Sequence, residues 1–244
     1  MRALSVPELL RVWENGLAQA AVDRALTLLE AACPDTPRDA LASLSIGRRD
    51  ANLLTLREWT FGPDMSSVVV CPQCGNKVEI SFDVSAVRVS PKREPAPALE
   101  MAFADFELQV RPPNSLDLAA IAAEAGVDQR RRRLFERCLV TARRAGQPAA
   151  ACDLPDETID AVAERLAEAD PQADVQLDIA CPFCGHGWRA VFDIVTFFWS
   201  EIEAWACRVL REVHILASAY GWCERDILAL TAARRQFYLE MVEA

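Results

Sequence analysis

Histidine and lysine are nearly missing from this chain. Of its 244 residues only His186 and His214 are imidazoles, and Lys77 and Lys92 are the only lysines among 26 basic residues. With two histidines, general acid–base chemistry would fall mainly to carboxylates, and none of the 36 acids forms a convincing catalytic pair. The sequence contains no GxGxxG, no Walker loop, no GxSxG and no HExxH. These absences predict a protein that is not an enzyme. No stretch approaches the roughly 18 uninterrupted apolar residues of a membrane span; the longest apolar clusters, such as residues 194–199, are far shorter. The opening MRALSVPELLRVWEN has neither a long apolar region nor a cleavage site, so no signal peptide and a cytoplasmic protein are expected.

Positive charge is in deficit as well. The net charge is −10 and the pI about 4.8. Such a chain is repelled by phosphate backbones unless its basic residues gather in one place. One run does gather, Arg130–Arg133 with Arg137, Arg143 and Arg144 downstream. Its plain reading is the solvated face of a helix. The balance of 52% hydrophobic and 25% charged residues is that of a globular protein with one large domain or two small ones.

Periodicity divides the chain. Leu9, Leu10, Trp13 and Leu17, then Val22, Ala25, Leu26 and Leu29, recur at helical spacing. Thr36-Pro37 and Ser45 suit the starts of a third and a fourth helix, and Gly62-Pro63 suits the end of the fourth. From Met65 the period becomes two, predicting a strand, a tight turn and a strand. Residues 85–98 read as linker, since Pro91, Pro95 and Pro97 cannot sit in a central strand. Residues 103–111 read as extended, turning at Ala104-Asp105. Asn114 with Asp117 suits a helix start. Asp128 suits another, running to about Arg144 with Leu134, Phe135, Cys138 and Leu139 inward. Pro155-Asp156-Glu157 opens a helix to about Ala169. Val175, Leu177 and Ile179 mark a half-buried strand. Phe198, Ile202, Trp205, Val209, Val213, Leu216 and Tyr220 make a long helical stripe that Gly221 breaks, and Ile227, Leu230, Phe237 and Met241 continue it.

Against these shortages stand nine cysteines. Cys33, Cys138, Cys152, Cys207 and Cys223 are scattered and read as small buried apolar residues. The other four lie in a repeat, CPQCGNKVEISFDV at residues 71–84 and CPFCGHGWRAVFDI at residues 181–194. The copies align without a gap at an offset of 110, pairing Phe82 with Phe192 and Asp83 with Asp193. Each aspartate is expected to end its strand and cap the next element. In CPxCG the proline presets the turn and the glycine permits positive φ, so two thiolates face one metal. Two such knuckles complete a tetrahedral four-sulfur zinc site. The expected ligands are therefore Cys71, Cys74, Cys181 and Cys184, holding one structural zinc per chain. Usual spacing between the pairs is roughly 15–20 residues; here 106 intervene. Residues 85–173 then read as an insertion within one split ribbon. Pairing with another subunit's cysteines, or a redox use of each pair, are the alternatives. His186 follows a ligand too closely to join the first shell.

Val110-Arg111-Pro112-Pro113-Asn114-Ser115-Leu116-Asp117-Leu118, the second knuckle with its FDI exit, and WSEIEAWACRVLREVHILASAYGWCERDILALTAARRQFYLEMV together resemble a known family. It is a baseplate-associated family of contractile-tail phages and related contractile injection systems, and the chain is similar to its hub assembly chaperones. The resemblance covers about residues 65–244. It implies no chemistry and no small-molecule substrate, a zinc site at the two CxxC pairs, and baseplate, hub or spike proteins as partners. It also implies a helix–turn–helix-shaped surface over Tyr220–Leu239 that contacts neighbours. The expected fold is α+β and mostly helical. A split zinc ribbon of two β-hairpins (64–84 and 174–194) encloses a linker, short strands and a helical insertion (85–173), flanked by helical segments at 1–63 and 195–244. The competing reading is a zinc-ribbon nucleic-acid-binding regulator, supported by the Arg130 run and opposed by the net charge.

Overall fold

A computed structural model describes residues 1–89 and 98–243. The linker prolines Pro91, Pro95 and Pro97 lie outside the described residues. Four helices come first: α1 (Val6–Gly16), α2 (Ala21–Ala32), α3 (Arg38–Ala42) and α4 (Ile46–Phe61). Ser5 and Glu8 form a capping box before α1, and Gly62, at φ 88°, ends α4. Strands β1 (Asp64–Val70) and β2 (Lys77–Asp83) pair antiparallel, Asp64 opposite Asp83 and Val70 opposite Lys77.

The inserted stretch carries strands as well as helices. It contains β3 (Leu99–Phe103), β4 (Phe106–Val110), α5 (Ser115–Ile121), α6 (Val127–Cys138), β5 (Leu139–Arg144), β6 (Gln147–Pro148) and α7 (Asp156–Ala169). Its strands make one antiparallel sheet in the order β3-β4-β5-β6. A second hairpin comes next, β7 (Gln176–Ala180) and β8 (Gly187–Val191), then α8 (Ile194–Tyr220), α9 (Glu224–Leu228) and α10 (Ala232–Glu243). The fold is α+β and mostly helical, as the periodicities predict.

Three elements depart from the sequence reading. Helix α6 stops at Cys138 rather than near Arg144, and residues 139–144 pair with β4. Val140 and Thr141 are β-branched and lose side-chain freedom in a helix, while Ala142 is buried on the sheet's inner face. Phe237 and Met241 are exposed, not core; α10 buries Arg235 and Leu239 instead. Of the scattered cysteines only Cys138 is buried; Cys33 is intermediate, and Cys152, Cys207 and Cys223 are exposed.

One core joins α1, α2, α4 and the first half of α8, and takes in Met65, Val84 and Val175 from the strand ends. Helices α1 and α8 approach closely because Gly16 has no side chain: a Cβ there would lie 2.7 Å from Cζ3 of Trp199. A second core packs the later half of α8 against Ile227, Leu228 and Leu239. A third lies inside the insertion, with Phe106, Leu108, Val110 and Ala142 of the sheet against Phe135, Ile159 and Val162 of α6 and α7.

Buried polar contacts fasten these units together. The first free N–H groups of α4 need partners. Ile46 N–H donates to the Pro113 carbonyl at 3.0 Å, Gly47 N–H to Asp170 Oδ2 at 2.8 Å, and Arg48 N–H to Ser45 Oγ at 3.3 Å. Two of these three acceptors belong to the insertion, so the insertion caps α4. Gln172 adds a bond to the Val87 carbonyl at 2.9 Å. At the other end of α4, the fully buried Arg57 guanidinium binds Glu201 of α8 at 2.5 and 2.8 Å. It also donates to the carbonyls of Gly62 and Asp64 at 2.6 and 2.7 Å, so one side chain fixes the turn that launches β1.

Candidate metal centre

Each hairpin ends in the same knuckle. In the first, Cys71 N–H donates to the Asn76 carbonyl and Gly75 N–H to the Cys71 carbonyl, both at 2.9 Å. In the second, Cys181 N–H donates to the His186 carbonyl and Gly185 N–H to the Cys181 carbonyl, again both at 2.9 Å. Gly75 and Gly185 have φ of 72° and 73°, the left-handed region that side chains with a Cβ rarely adopt. Behind the knuckles, Val69, Val78, Ile80 and Trp188 pack against Cys71 and Cys181.

The fold brings Cys71, Cys74, Cys181 and Cys184 together within one chain, with all four Sγ atoms within 4.8 Å of one another. Across the hairpins, Cys71 Sγ lies 3.7 Å from Cys184 Sγ, and Cys74 Sγ 3.6 Å from Cys181 Sγ. A tetrahedron with metal–sulfur bonds of about 2.3 Å has edges of about 3.8 Å. The four sulfurs are therefore close enough to hold a metal ion, and the soft donor set suits zinc. Cys71 and Cys181 are buried; Cys74 and Cys184 are exposed.

The thiols do not share their protons equally. Burial opposes ionisation of Cys71, but the backbone N–H groups of Cys74 and Gln73 and the neighbouring thiols outweigh it and bring Cys71 down to about 7. At Cys184 the His186 N–H favours the thiolate, yet burial and the surrounding sulfurs push it up to about 12. Four thiolates crowded without a cation repel one another; a divalent ion removes that penalty. His186 stays out of the sulfur cluster and stacks on Trp188, ring centroids 6.1 Å apart.

The repeat persists beyond the sulfurs. Phe82 and Phe192 meet edge to face at 6.0 Å. Asp83 accepts from Ser85 N–H at 2.8 Å, and Asp193 caps α8 by accepting from Val195 N–H at 2.9 Å. Asp83 thus ends β2, Asp193 follows the end of β8 by two residues, and both cap the next turn.

The other residues singled out in the sequence serve architecture. In Arg111-Pro112-Pro113-Asn114-Ser115-Leu116-Asp117, the buried Asp117 carboxylate accepts from Arg111 at 2.6 and 2.9 Å and from Arg137 at 2.9 Å. It also accepts from Asn114 N–H at 3.0 Å, completing a capping box for α5. Burial opposes the charged form of Asp117, but the Arg111 guanidinium, Asn114 N–H and Arg137 hold its carboxyl below the usual range. The arginine run is not a free cationic strip. Arg131 pairs with Asp160, Arg132 with Asp156 at 2.8 Å and Arg133 with Glu136 at 2.9 Å. In Tyr220–Leu239 the ring of Tyr220 stacks on Trp222 at 4.7 Å after Gly221 turns left-handed. Buried Arg235 pairs with Glu212 of α8 at 2.9 Å. Sequence reasoning passed over Arg57 and met Arg235 only as part of the family pattern, without a partner. Arg57 could have been found, since it lies three and four residues from Leu54 and Leu53 on the apolar face of α4.

The sequence profile for the T4 bacteriophage base plate protein matches residues 8–199. The chain belongs to that family. The match takes in helices α1–α4, which the resemblance read from the sequence left out. It ends at Trp199, so the run from Ser200 onward lies outside it. No curated protein and no solved structure gives a significant match. No helix among the described residues is long and apolar enough to cross a membrane.

Proposed function

We propose that this chain is a non-enzymatic, zinc-stabilised structural or assembly protein of a contractile-tail baseplate, chaperone-like in its dealings with hub or spike proteins. The match of residues 8–199 to the base plate family carries this reading. Cys71, Cys74, Cys181 and Cys184 hold one zinc ion in it. Four protein ligands leave no open coordination position, which makes the ion a clamp rather than a catalyst. Its apparent binding energy, on the order of 10–16 kcal/mol at neutral pH, joins the two hairpins across the insertion. Through Val84 and Ile194, which lead from the hairpins into the main core, the clamp also registers that core.

The role is tested by deleting the gene from the host or phage that encodes it and imaging the tails. Tubes and sheaths without a completed hub and spike are expected, with rescue by the wild-type chain. Normal baseplates in the deletion strain would refute the role. Presence of the chain in purified particles separates a permanent component from a transient chaperone.

A further inference from the structure

Helices α6 and α7 lie over the insertion's sheet, and between them runs an open apolar channel of about 220 Å³. Its walls are Leu134 and Phe135 on one side and Ile159, Val162, Ala163 and Leu166 on the other. None of the four clustered cysteines lines it, although Pro113 and Asp170, which cap α4, do. At one end Arg131 and Arg132 of α6 reach across to Asp160 and Asp156 of α7. The other end is flanked by the exposed Asp174. Ala163 and Ala167 on its lip are exposed and too small to cover it.

Size argues for the kind of occupant. Small-molecule sites usually need about 300–1,000 Å³, more than is here. An apolar cavity of about 150 Å³ already accepts a benzene ring, so 220 Å³ accommodates one aromatic or two aliphatic side chains of a protein. Charge argues for its flanks. Helix α7 bears five carboxylates, Asp156, Glu157, Asp160, Glu164 and Glu168, and α6 carries Arg130–Arg133 and Arg137. Asp156 and Asp160 are taken up by Arg132 and Arg131, and Glu168 by Arg165, so among the described residues the free negative charge on this side is that of Glu157 and Glu164. Among the described residues, Glu164 has no ion-pair partner, and Asp174 accepts only a 3.3 Å bond from Gln176.

We infer that the α6–α7 channel is the docking surface for a protein partner, whose bound segment places a large apolar side chain between the helices and a lysine or arginine beside Asp174 and Glu164. The apolar anchor supplies affinity, and the acidic rim supplies orientation and selects against acidic segments. This rests on the baseplate role, from which the partner would be another baseplate protein.

The test fills the channel without disturbing the core. Ala163→Trp occupies it, and Ala167→Glu places a charge on its lip; both positions are solvent-exposed, so both variants should fold, as checked by thermal melts and zinc content. Each is produced with the particle's other baseplate proteins, and the chain is captured by a C-terminal tag. Wild type is expected to bring down one of them. Ala163→Trp should weaken that binding roughly thirty-fold or more, the loss of a hot-spot contact. Asp174→Asn should weaken it less and flatten its salt dependence. A photo-crosslinker at Ala167 should map to a segment with an apolar residue beside a base. Folded Ala163→Trp that binds as wild type, or a crosslink to an acidic segment, would overturn the assignment. If wild type captures none of these proteins, the baseplate role fails first; if the filled-channel variant captures them normally, only the channel does.

Discussion

Gly47→Ala should destabilise this protein, although helix propensity alone says the opposite. Glycine within a helix is ordinarily about 1 kcal/mol worse than alanine. Gly47, however, is the second residue of α4, and the Asp170 carboxylate rests against it. A Cβ there would lie 2.6 Å from Asp170 Cγ, a separation that forces the carboxylate away. The 2.8 Å bond from Gly47 N–H would go with it. A hydrogen bond to a charged group contributes about 1.5–3 kcal/mol. The carboxylate also faces the positive end of the α4 dipole, worth about 0.3–1 kcal/mol and up to about 2 when partly buried. Asp170 is only 4% exposed, so a displaced carboxylate finds little water. After subtracting the propensity gain, the net loss is about 1–4 kcal/mol. For a chain of this size that lowers Tm by about 2–4 °C for each kcal/mol. Urea unfolding monitored by far-UV circular dichroism measures the difference. The cause is isolated by adding Asp170→Ala, which removes the obstructing group: the double variant should lose less than the sum of the single losses. Stabilisation of Gly47→Ala by about 1 kcal/mol, as in an unobstructed helix, would show that the insertion does not cap α4 in this way.

Three further outcomes rest on buried charge and sulfur. Asp117→Asn removes the carboxylate and leaves Arg111 and Arg137, at 31% and 33% side-chain exposure, to be hydrated in its place, so the loss should fall below the roughly 3–5 kcal/mol of a fully buried broken pair. Because the folded Asp117 carboxyl sits below its usual range, the unfolded chain binds more protons as pH falls through the ordinary value near 3.9. Stability from this group is complete above that value and is lost on approach to the lower folded pKa; urea midpoints at pH 7 and in acid should show a slope that Asp117→Asn lacks. Arg57→Lys keeps the charge but cannot make the four bonds to Glu201, Gly62 and Asp64, so its midpoint should fall by more than that of Arg165→Lys, a pair exposed on α7. Cys181→Ser should abolish metal binding and solubility, whereas Cys138→Ser, whose buried thiol is pushed up to about 11, should keep full zinc content; equal effects would mean the metal is elsewhere.

Much of this was legible in the sequence because it is local. The CPxCG knuckles, the capping box of Asn114 and Asp117, the Gly62 stop and the α8 stripe each depend on residues a few positions apart. The cysteine cluster was legible at long range only because the chain writes its hairpin twice. Where no repeat exists, long-range partners were hidden. Nothing near Gly47 points to Asp170, and although Arg57 stands out on the apolar face of α4, nothing near it points to Glu201 of α8. Residues 139–144 were misread because Leu139 and Ala142 also satisfy a helical period; pairing with β4 decides the matter. Phe237 and Met241 extend a helical stripe, yet α8 and α9 offer that face nothing to pack against.

The central claim is that one zinc ion, shared by the two CPxCG knuckles, holds the halves of a base plate family protein together. Elemental analysis of the purified chain, before and after chelation and with near-UV circular dichroism recorded in parallel, tests it most directly. One zinc per chain is predicted, with joint loosening of the N-terminal helices and α8 once the ion is removed. No zinc, two zincs per chain, or an unchanged tertiary signal after complete removal would contradict it.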